Sequence, residues 1–142
     1  MPGFLLDTNV LSEFARAQPA DEQVDGWLKA TPEETLFASV LTFAEIRRGI
    51  ELLPVGKRRD QLEEWERDLE TSFAGRLLPV TKDVGDRWTV LSAQAQRRGT
   101  PLGVVDGLIA ATGLVHNLTV VTRNAKDFGW AWCCALQSVE SL

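Results

Sequence analysis

The feature of this sequence that most constrains its fold is the alternation of short apolar runs with longer segments of helical periodicity. The runs are about four or five residues long and bounded by polar or turn-forming residues, as expected for buried strands. Between them, apolar residues recur at every third or fourth position, as on one face of a helix. Strands separated by helices favour right-handed βαβ units. The sequence therefore predicts an α/β fold with a mostly parallel central sheet flanked by helices.

The predicted elements can be placed on the chain with turn signals between them. The predicted strands are 3–6, 36–39, 77–80 and 118–122. The predicted helices are 9–15, 42–53, 57–73, 83–98 and 104–115, and 21–30 is a polar amphipathic stretch. Pro54 and Gly56 separate two helices, and Gly99 ends another. With 142 residues and neither a repeat nor a long linker, we expect a single domain over 1–142.

The charge balance excludes nucleic-acid binding by bulk attraction, because 15 basic residues stand against 20 acidic ones. Contact with nucleic acid would need a local basic patch, or a metal that reverses the sign of an acidic site. The N-terminus has no signal-peptide pattern, and no apolar run is long enough to span a membrane. The adjacent Cys133 and Cys134 suit two reduced thiols. We therefore expect a cytoplasmic location.

Three acidic residues lie where a parallel sheet gathers its functional groups. Asp7 follows the first predicted strand, Glu45 lies in the first turn after the second, and Asp106 opens the helix predicted over 104–115. Asp7 and Asp106 each directly follow apolar residues, and burying a charge without a partner is costly. Because strand ends and helix starts meet at one edge of such a sheet, we expect the three carboxylates to converge and bind metal.

Helix capping is an alternative explanation for each acid taken singly. Asp7 could cap the helix that follows it, since Asp is a favoured N-cap residue. Thr42 and Glu45 have the spacing of a capping box, in which the Glu side chain reaches back to a backbone N–H. Asp106 near a helix N-terminus is favoured by the helix dipole. The sequence leaves these alternatives open.

The kinds of side chain available restrict the chemistry. Carboxylate oxygens suit Mg²⁺ or Mn²⁺ better than zinc. The only histidine, His116, is placed at a helix end and is interpreted as a capping residue, so one chain cannot supply a pair of histidines for acid–base catalysis. Metal-assisted hydrolysis remains, in which a bound water is activated and charge on phosphate oxygens is stabilised.

A second group of polar residues follows the last predicted strand. Thr122 could hydrogen-bond a carboxylate, Arg123 could hold a phosphate, and Asn124 or Asp127 could complete a ligand set. The same residues could equally form an ordinary polar turn at the end of a strand.

Four segments together resemble the PIN-domain ribonucleases, and most closely the VapC and FitB-like toxins of toxin–antitoxin pairs. They are Leu5-Leu6-Asp7-Thr8-Asn9-Val10-Leu11-Ser12-Glu13, Thr42-Phe43-Ala44-Glu45-Ile46-Arg47-Arg48-Gly49-Ile50, Pro101-Leu102-Gly103-Val104-Val105-Asp106-Gly107-Leu108-Ile109-Ala110-Ala111 and Leu118-Thr119-Val120-Val121-Thr122-Arg123-Asn124. The resemblance spans residues 4 to about 128. It implies a PIN fold, hydrolysis of RNA with Mg²⁺ or Mn²⁺, homodimers, and a VapB-like antitoxin that carries the assembly to DNA.

Residue by residue, the resemblance places Asp7, Glu45 and Asp106 at the metal-binding acids of the family. The fourth position falls near Asn124, an amide, so one ion is easier to support than two. Thr8, Arg47, Thr122 and Arg123 become candidates for supporting the site or contacting RNA phosphate.

Two features depart from the plain interpretation. Leu62, Trp65 and Leu69 form an apolar helical face that could either receive an antitoxin helix or pack into the core. The segment 129–142 lacks the family's usual Gly-Val strand and terminal Asn-Pro-Trp, for which we hypothesise a frameshift that the coding DNA would reveal.

A PIN-like domain that has lost catalysis and only binds a partner is the main alternative function. A phospho-acceptor receiver fits the acids poorly.

Overall fold

In the computed structural model of the chain, the described residues are 3–15, 22–122 and 136–138. The strands are β1 Gly3–Leu6, β2 Leu36–Ser39, β3 Leu77–Leu78, β4 Leu118–Thr122 and β5 Leu136–Ser138. The helices are α1 Thr8–Leu11, α2 Glu22–Ala30, α3 Val40–Glu51, α4 Lys57–Ser72, α5 Lys82–Arg97 and α6 Val104–Val115. Within these described ranges, no helix is long and apolar enough to cross a membrane.

The sheet has the order β3-β2-β1-β4-β5, and every neighbouring pair is parallel. The predicted mostly parallel α/β fold is thus confirmed. Strand β3 is shorter than the predicted 77–80, because Pro79 has no N–H to donate to the ladder. Strand β5 lies within the atypical 129–142 segment, most of which is outside the described residues.

The core lies on both faces of the sheet because successive residues of a strand point to opposite sides. In β1, Leu5 packs with Val84, Leu91 and Ile109 on one face. The next residue, Leu6, packs on the other face with residues of α1, α2 and α4. Both leucines are 0% exposed. Central strands covered on both faces position the carboxyl edge of the sheet rigidly.

Helix α6 packs closely on the sheet because its inner residues are small. A Cβ at Gly113 would lie 2.8 Å from Cγ2 of Val120, so any larger residue there would displace α6 from β4. The chain turns back into β4 only two residues after α6 ends. The expectation of a buried helix at 104–115 is confirmed.

The apolar face of α4 packs largely into the core. Leu69 and Phe73 are buried in the main cluster, and Trp65 packs against it. The indole N–H of Trp65 donates to the carbonyl oxygen of Phe14 over 3.2 Å. Leu62 is half-buried. This face was expected either to pack into the core or to receive an antitoxin helix. Core packing is confirmed for Trp65 and Leu69.

Arg76 fastens the β3 edge of the sheet to the segments around it. Its guanidinium donates to the carbonyl oxygens of Leu36 and Glu33 over 2.6 and 2.7 Å, and also to that of Ser72. The same group stacks over the Phe73 ring at 4.8 Å from the ring centre. A planar fork of donors can reach several carbonyls at once, which an ammonium group cannot do.

A carboxyl group, Glu66, is buried between α3 and α4. The residue is 1% exposed, and its Oε2 lies 3.7 Å from Nη1 of Arg47. Among the described residues, Oε1 has no hydrogen-bond partner. Burial raises the pKa of this carboxyl above its ordinary value of 4.5. The neighbouring Glu70 raises it further, and Arg47 and Arg67 oppose the shift.

Replacing Arg76 with Lys should lower the free energy of unfolding by about 2–3 kcal/mol, because an ammonium group cannot reach the carbonyls of Leu36, Glu33 and Ser72 at once. Urea unfolding measures the change through the midpoint at constant slope. Arg58→Lys, an exposed position on α4, is the control and should change stability by less than about 0.5 kcal/mol. Equal midpoints for both variants would contradict the described role of Arg76.

Glu66 should make stability fall as the pH rises above 4.5. The folded protein keeps the Glu66 proton to higher pH than the unfolded chain does, so deprotonation favours unfolding until the folded-state pKa is passed. Glu66→Gln cannot titrate there. The unfolding free energy of the parent minus that of this variant should therefore decline across this window.

Urea unfolding at a series of pH values measures this difference. Glu64→Gln, an exposed acid on the same helix, provides the control. A parent-minus-Glu66→Gln difference that is constant from acid to neutral pH would show that Glu66 is not perturbed as described.

Candidate active site

Asp7 stands at the carboxyl end of β1, where the strand passes into α1. Its backbone N–H donates to the Val121 carbonyl over 3.0 Å and so extends the β1–β4 ladder by one step. Its Oδ1 accepts from the N–H of Thr8 over 2.8 Å, which makes Asp7 the N-cap of α1. The capping interpretation of Asp7 is therefore confirmed. With only 7% of the residue exposed, the carboxylate lies at the floor of the sheet edge.

Thr122, the last residue of β4, holds the other oxygen of the same carboxylate. Its hydroxyl donates to Asp7 Oδ2 over 2.7 Å, and the residue is 0% exposed. The expectation that Thr122 hydrogen-bonds a carboxylate is thus met. One donor comes from α1 and one from β4, so the plane of the Asp7 carboxylate is fixed from two sides.

Glu45 lies farther into its helix than the sequence suggested. Helix α3 begins at Val40 with Ser39 as its N-cap, the Ser39 hydroxyl accepting from the N–H of Leu41 over 3.1 Å. The predicted capping box of Thr42 and Glu45 is therefore wrong, and Glu45 lies in the second turn. Ser39 ends β2 and is a favoured cap, so the helix starts directly at the strand end.

Thr8 joins Glu45 to Asp7. The Thr8 hydroxyl donates to Oε1 of Glu45 over 2.6 Å, while its backbone N–H donates to Asp7. Glu45 is exposed and Asp7 is buried. The two carboxylates therefore form an acidic edge with one member at the floor and one at the solvent side.

Asp106 opens α6, as the sequence predicts. The residues before it form a connection from α5 to α6, not a strand, so Asp106 does not follow a strand as Asp7 does. It lies in the first turn of α6, where the helix dipole favours a carboxylate.

The dimensions of α6 and β4 determine how far along the sheet that turn lies. Helix α6 has 12 residues and is about 18 Å long. Strand β4 has five residues and is about 17 Å long. The chain reverses between them, so the first turn of α6 lies level with the end of β4.

The acids of this edge offer oxygen ligands of the kind that a divalent cation takes. Across 3–15, 22–122 and 136–138, no three Asp, Glu, His or Cys side chains form a group close enough to hold a metal ion. Mg²⁺ does not need such a cage, since it is commonly bound by one or two carboxylates together with waters and substrate phosphate. A carboxylate has about four acceptor positions, so an oxygen that accepts a hydrogen bond can also bind a metal ion. Asp7 and Glu45 therefore fit Mg²⁺ or Mn²⁺.

Arg47 is turned away from the acids that it was expected to support. It is two residues from Glu45 on α3, and residues at that spacing lie on different faces of a helix. Its guanidinium approaches Glu66 of α4 and is largely exposed. Arg123, Asn124 and Asp127 lie outside the described residues.

The sequence analysis did not identify two buried polar groups, the Glu66 carboxyl and the Trp88 indole N–H. Glu66 shares the apolar face of α4 with Leu62, Trp65 and Leu69, and a lone acid at that spacing was a usable signal. Trp88 has a buried indole N–H without an acceptor among the described residues. Nothing in its sequence neighbourhood distinguishes it from a core tryptophan.

Comparison with known proteins gives a consistent result. A model of the PIN domain family matches residues 4–128. The chain is 41% identical to a VapC ribonuclease of Sinorhizobium fredii over 125 residues, which cover 87% of this chain and 89% of that protein. The identity and both coverages are the same for the toxin FitB of Neisseria gonorrhoeae.

Solved structures agree with the sequence matches. The structure of FitAB bound to a DNA fragment superposes with a TM-score of 0.89 and 37% identity, covering 98% of this chain and 96% of that one. FitAcB from Neisseria gonorrhoeae gives 0.88 and 38%, covering 98% and 99%. A DNA-bound VapBC from Salmonella typhimurium, at 22% identity and a TM-score of 0.74, shares the fold. The chain therefore belongs to the PIN domain family.

Proposed function

We propose that this protein is a metal-dependent endoribonuclease that acts as the toxin of a type II toxin–antitoxin pair. The observation that carries the proposal is the hydrogen-bonded series from Thr122 to Asp7 and from Thr8 to Glu45. It fixes two carboxylates at the edge of a parallel sheet, the place where α/β proteins bind their ligands. The names VapC ribonuclease and toxin FitB, borne by relatives at 41% identity, support the same activity.

The described residues prepare the acids before any substrate arrives. Thr122 and the Thr8 N–H each hold one oxygen of Asp7, so this carboxylate does not have to reorganise to become a ligand. The Thr8 hydroxyl orients Glu45 in the same way. Asp7, Glu45 and Asp106 would hold Mg²⁺ or Mn²⁺, with Asn124 as a further oxygen ligand. When bound, such an ion lowers the pKa of a coordinated water and stabilises charge on phosphate oxygens.

The exposure of the acids sets the direction from which RNA approaches. Glu45 faces solvent and Asp7 lies beneath it, so a phosphodiester reaches the site from the Glu45 side. Two carboxylates without bound metal repel a phosphate, because both groups are anionic. RNA binding at this edge should therefore need the metal, with Arg123 proposed as a phosphate contact.

The proposed partners follow from the same relatives. The FitAB and VapBC structures are toxin–antitoxin complexes, some of them bound to DNA. We propose a VapB-like antitoxin for this protein, with DNA bound through that antitoxin, and a homodimer as the toxin unit. The proposed place of action is the cytoplasm, where RNA and antitoxin are available.

Asp7→Asn, Glu45→Gln and Asp106→Asn should each slow RNA cleavage by at least about 100-fold, since each removes a charge that the reaction needs. The measurement is the initial rate on labelled RNA with Mg²⁺ or Mn²⁺, and chelator should abolish cleavage by the parent. Asp68→Asn, an exposed acid on α4, is the matched control and should keep the parent rate.

Growth assays extend the same comparison. The parent should arrest growth when produced without antitoxin, and the three acid variants should not. Full cleavage by the acid variants would refute the site assignment. An inactive parent that still binds an antitoxin would instead favour a PIN-like domain that has lost catalysis and serves only as a binding module.

Thr122→Val should weaken Mn²⁺ binding about 10–100-fold, because it removes a donor that orients Asp7 while keeping the side-chain shape. Thr119→Val on the same strand is the matched control, since Thr119 has no such contact with an acid in the described structure. Titration calorimetry with Mn²⁺ measures both affinities. Equal affinities for the two variants would show that Thr122 does not prepare the ligand.

A further inference from the structure

The indole N–H of Trp88 is a buried donor without an acceptor in the part of the chain that the structure describes. Trp88 lies on α5, which packs along α6. Buried tryptophan N–H groups normally find a hydrogen-bond partner, because leaving a donor dry and unpaired is costly. The Trp88 N–H therefore needs an acceptor in some state of the protein.

Gly107 lets the indole come very close to the first turns of α6. A Cβ at Gly107 would lie 2.9 Å from both Cδ1 and Nε1 of Trp88, closer than real side chains allow. The edge of the indole that carries the N–H therefore occupies the place of a side chain on α6. Glycine inside a helix is unfavourable in itself, so this approach is obtained at the expense of helix propensity.

Few groups near the N–H edge of the Trp88 indole can accept a hydrogen bond. The first turn of a helix exposes N–H donors, and its carbonyls accept N–H groups within the helix. The carbonyl of Gly103, for example, receives the N–H of Gly107 over 2.8 Å. Asp106 is the acid of this turn, and its Oδ2 lies 3.5 Å from where a Cβ of Gly103 would be.

Gly103 is the N-cap of α6, and Gly107 follows it by four residues along the chain. The Asp106 carboxylate lies beside the Cβ position of Gly103, and the indole edge of Trp88 lies beside that of Gly107, together with the Leu102 side chain. An anionic acceptor and an orphaned donor therefore both lie at the start of α6.

The hydrogen bonds to Asp7 and Glu45 show how an uncharged donor holds a carboxylate in this structure. Asp7 is held by the Thr122 hydroxyl and the Thr8 N–H, and Glu45 is held by the Thr8 hydroxyl. All of these donors are uncharged, so they fix the carboxylate without neutralising the charge that a cation needs. Uncharged donors from neighbouring elements are common supports of metal ligands.

We propose that Trp88 is the positioning residue for Asp106, its indole N–H donating to the Asp106 carboxylate when the site binds a divalent cation. The inference rests on the proposed function, because it assigns Asp106 to that cation. Trp88 touches neither substrate nor metal. It acts by restricting the orientation of Asp106, and Gly107 is required because any side chain there would push the indole away.

The test follows the indole N–H signals of the whole protein by ¹⁵N NMR during titration with Mg²⁺. The chain has 5 tryptophans, and Trp88→Phe and Trp65→Phe assign two of the signals. The Trp88 signal should move downfield as Mg²⁺ is added, and it should stay in place in Asp106→Asn. The Trp65 signal, whose N–H already donates to Phe14, should not move.

The outcomes separate the inference from the proposed function. If the amides of Thr8 and Glu45 respond to Mg²⁺ while the Trp88 signal stays fixed, the inference is overturned and the metal site stands. If no signal of any kind responds to Mg²⁺, the proposed function itself fails. A Trp88 shift of equal size in Asp106→Asn also overturns the inference, because a packing change would then explain it.

A second measurement does not depend on NMR assignment. Trp88→Phe keeps most of the ring packing and should lower Mn²⁺ affinity about tenfold, whereas Trp65→Phe should lower stability with Mn²⁺ affinity unchanged. Equal Mn²⁺ affinities for parent and Trp88→Phe would contradict the positioning role. Triple-resonance spectra of the parent also assign the indole signals, so the comparison of the parent with Asp106→Asn remains decisive if Trp88→Phe fails to fold.

Discussion

The hydrogen bond from the Thr122 hydroxyl to Asp7 Oδ2 is the contact on which the rest of the site depends. It joins the ends of two adjacent central strands and supplies a donor to a carboxylate that is almost completely buried. A buried carboxylate is costly unless hydrogen-bond donors reach it. The parallel β1–β4 pair therefore determines where the acid lies and supplies one of the donors that it needs.

From Asp7 the organisation extends outward through Thr8. A single residue caps one carboxylate with its backbone and orients a second with its hydroxyl, so α1 and α3 are tied together at the sheet edge. Helix α6 brings Asp106 to the same level because its length matches that of β4. The site is thus a consequence of strand register and helix length.

Much of this could be predicted from the sequence, and the failures have identifiable causes. The sequence predicted the pattern of strands and helices, the cap at Asp7 and the hydrogen bond from Thr122 to a carboxylate. Each of these predictions depends on neighbouring residues or on a strong β-branched run. The start of α3 was misjudged because Ser39 and Thr42 are both good caps, and only the strand end decides between them. Trp88 depends on a contact between helices that no local pattern reveals, whereas the burial of Glu66 could have been predicted from its place on the apolar face of α4. The face taken by Arg47 could be derived from spacing alone.

The central claim is that Asp7 and Glu45, held together by Thr8, bind a divalent cation. Crystals soaked in Mn²⁺ test it most directly, through the anomalous difference density collected at the manganese absorption edge. The account predicts a peak in contact with carboxylate oxygens of both Asp7 and Glu45, and no peak there in Asp7→Asn. Ordered carboxylates with no anomalous density between them, or with manganese bound only elsewhere on the protein, would contradict it.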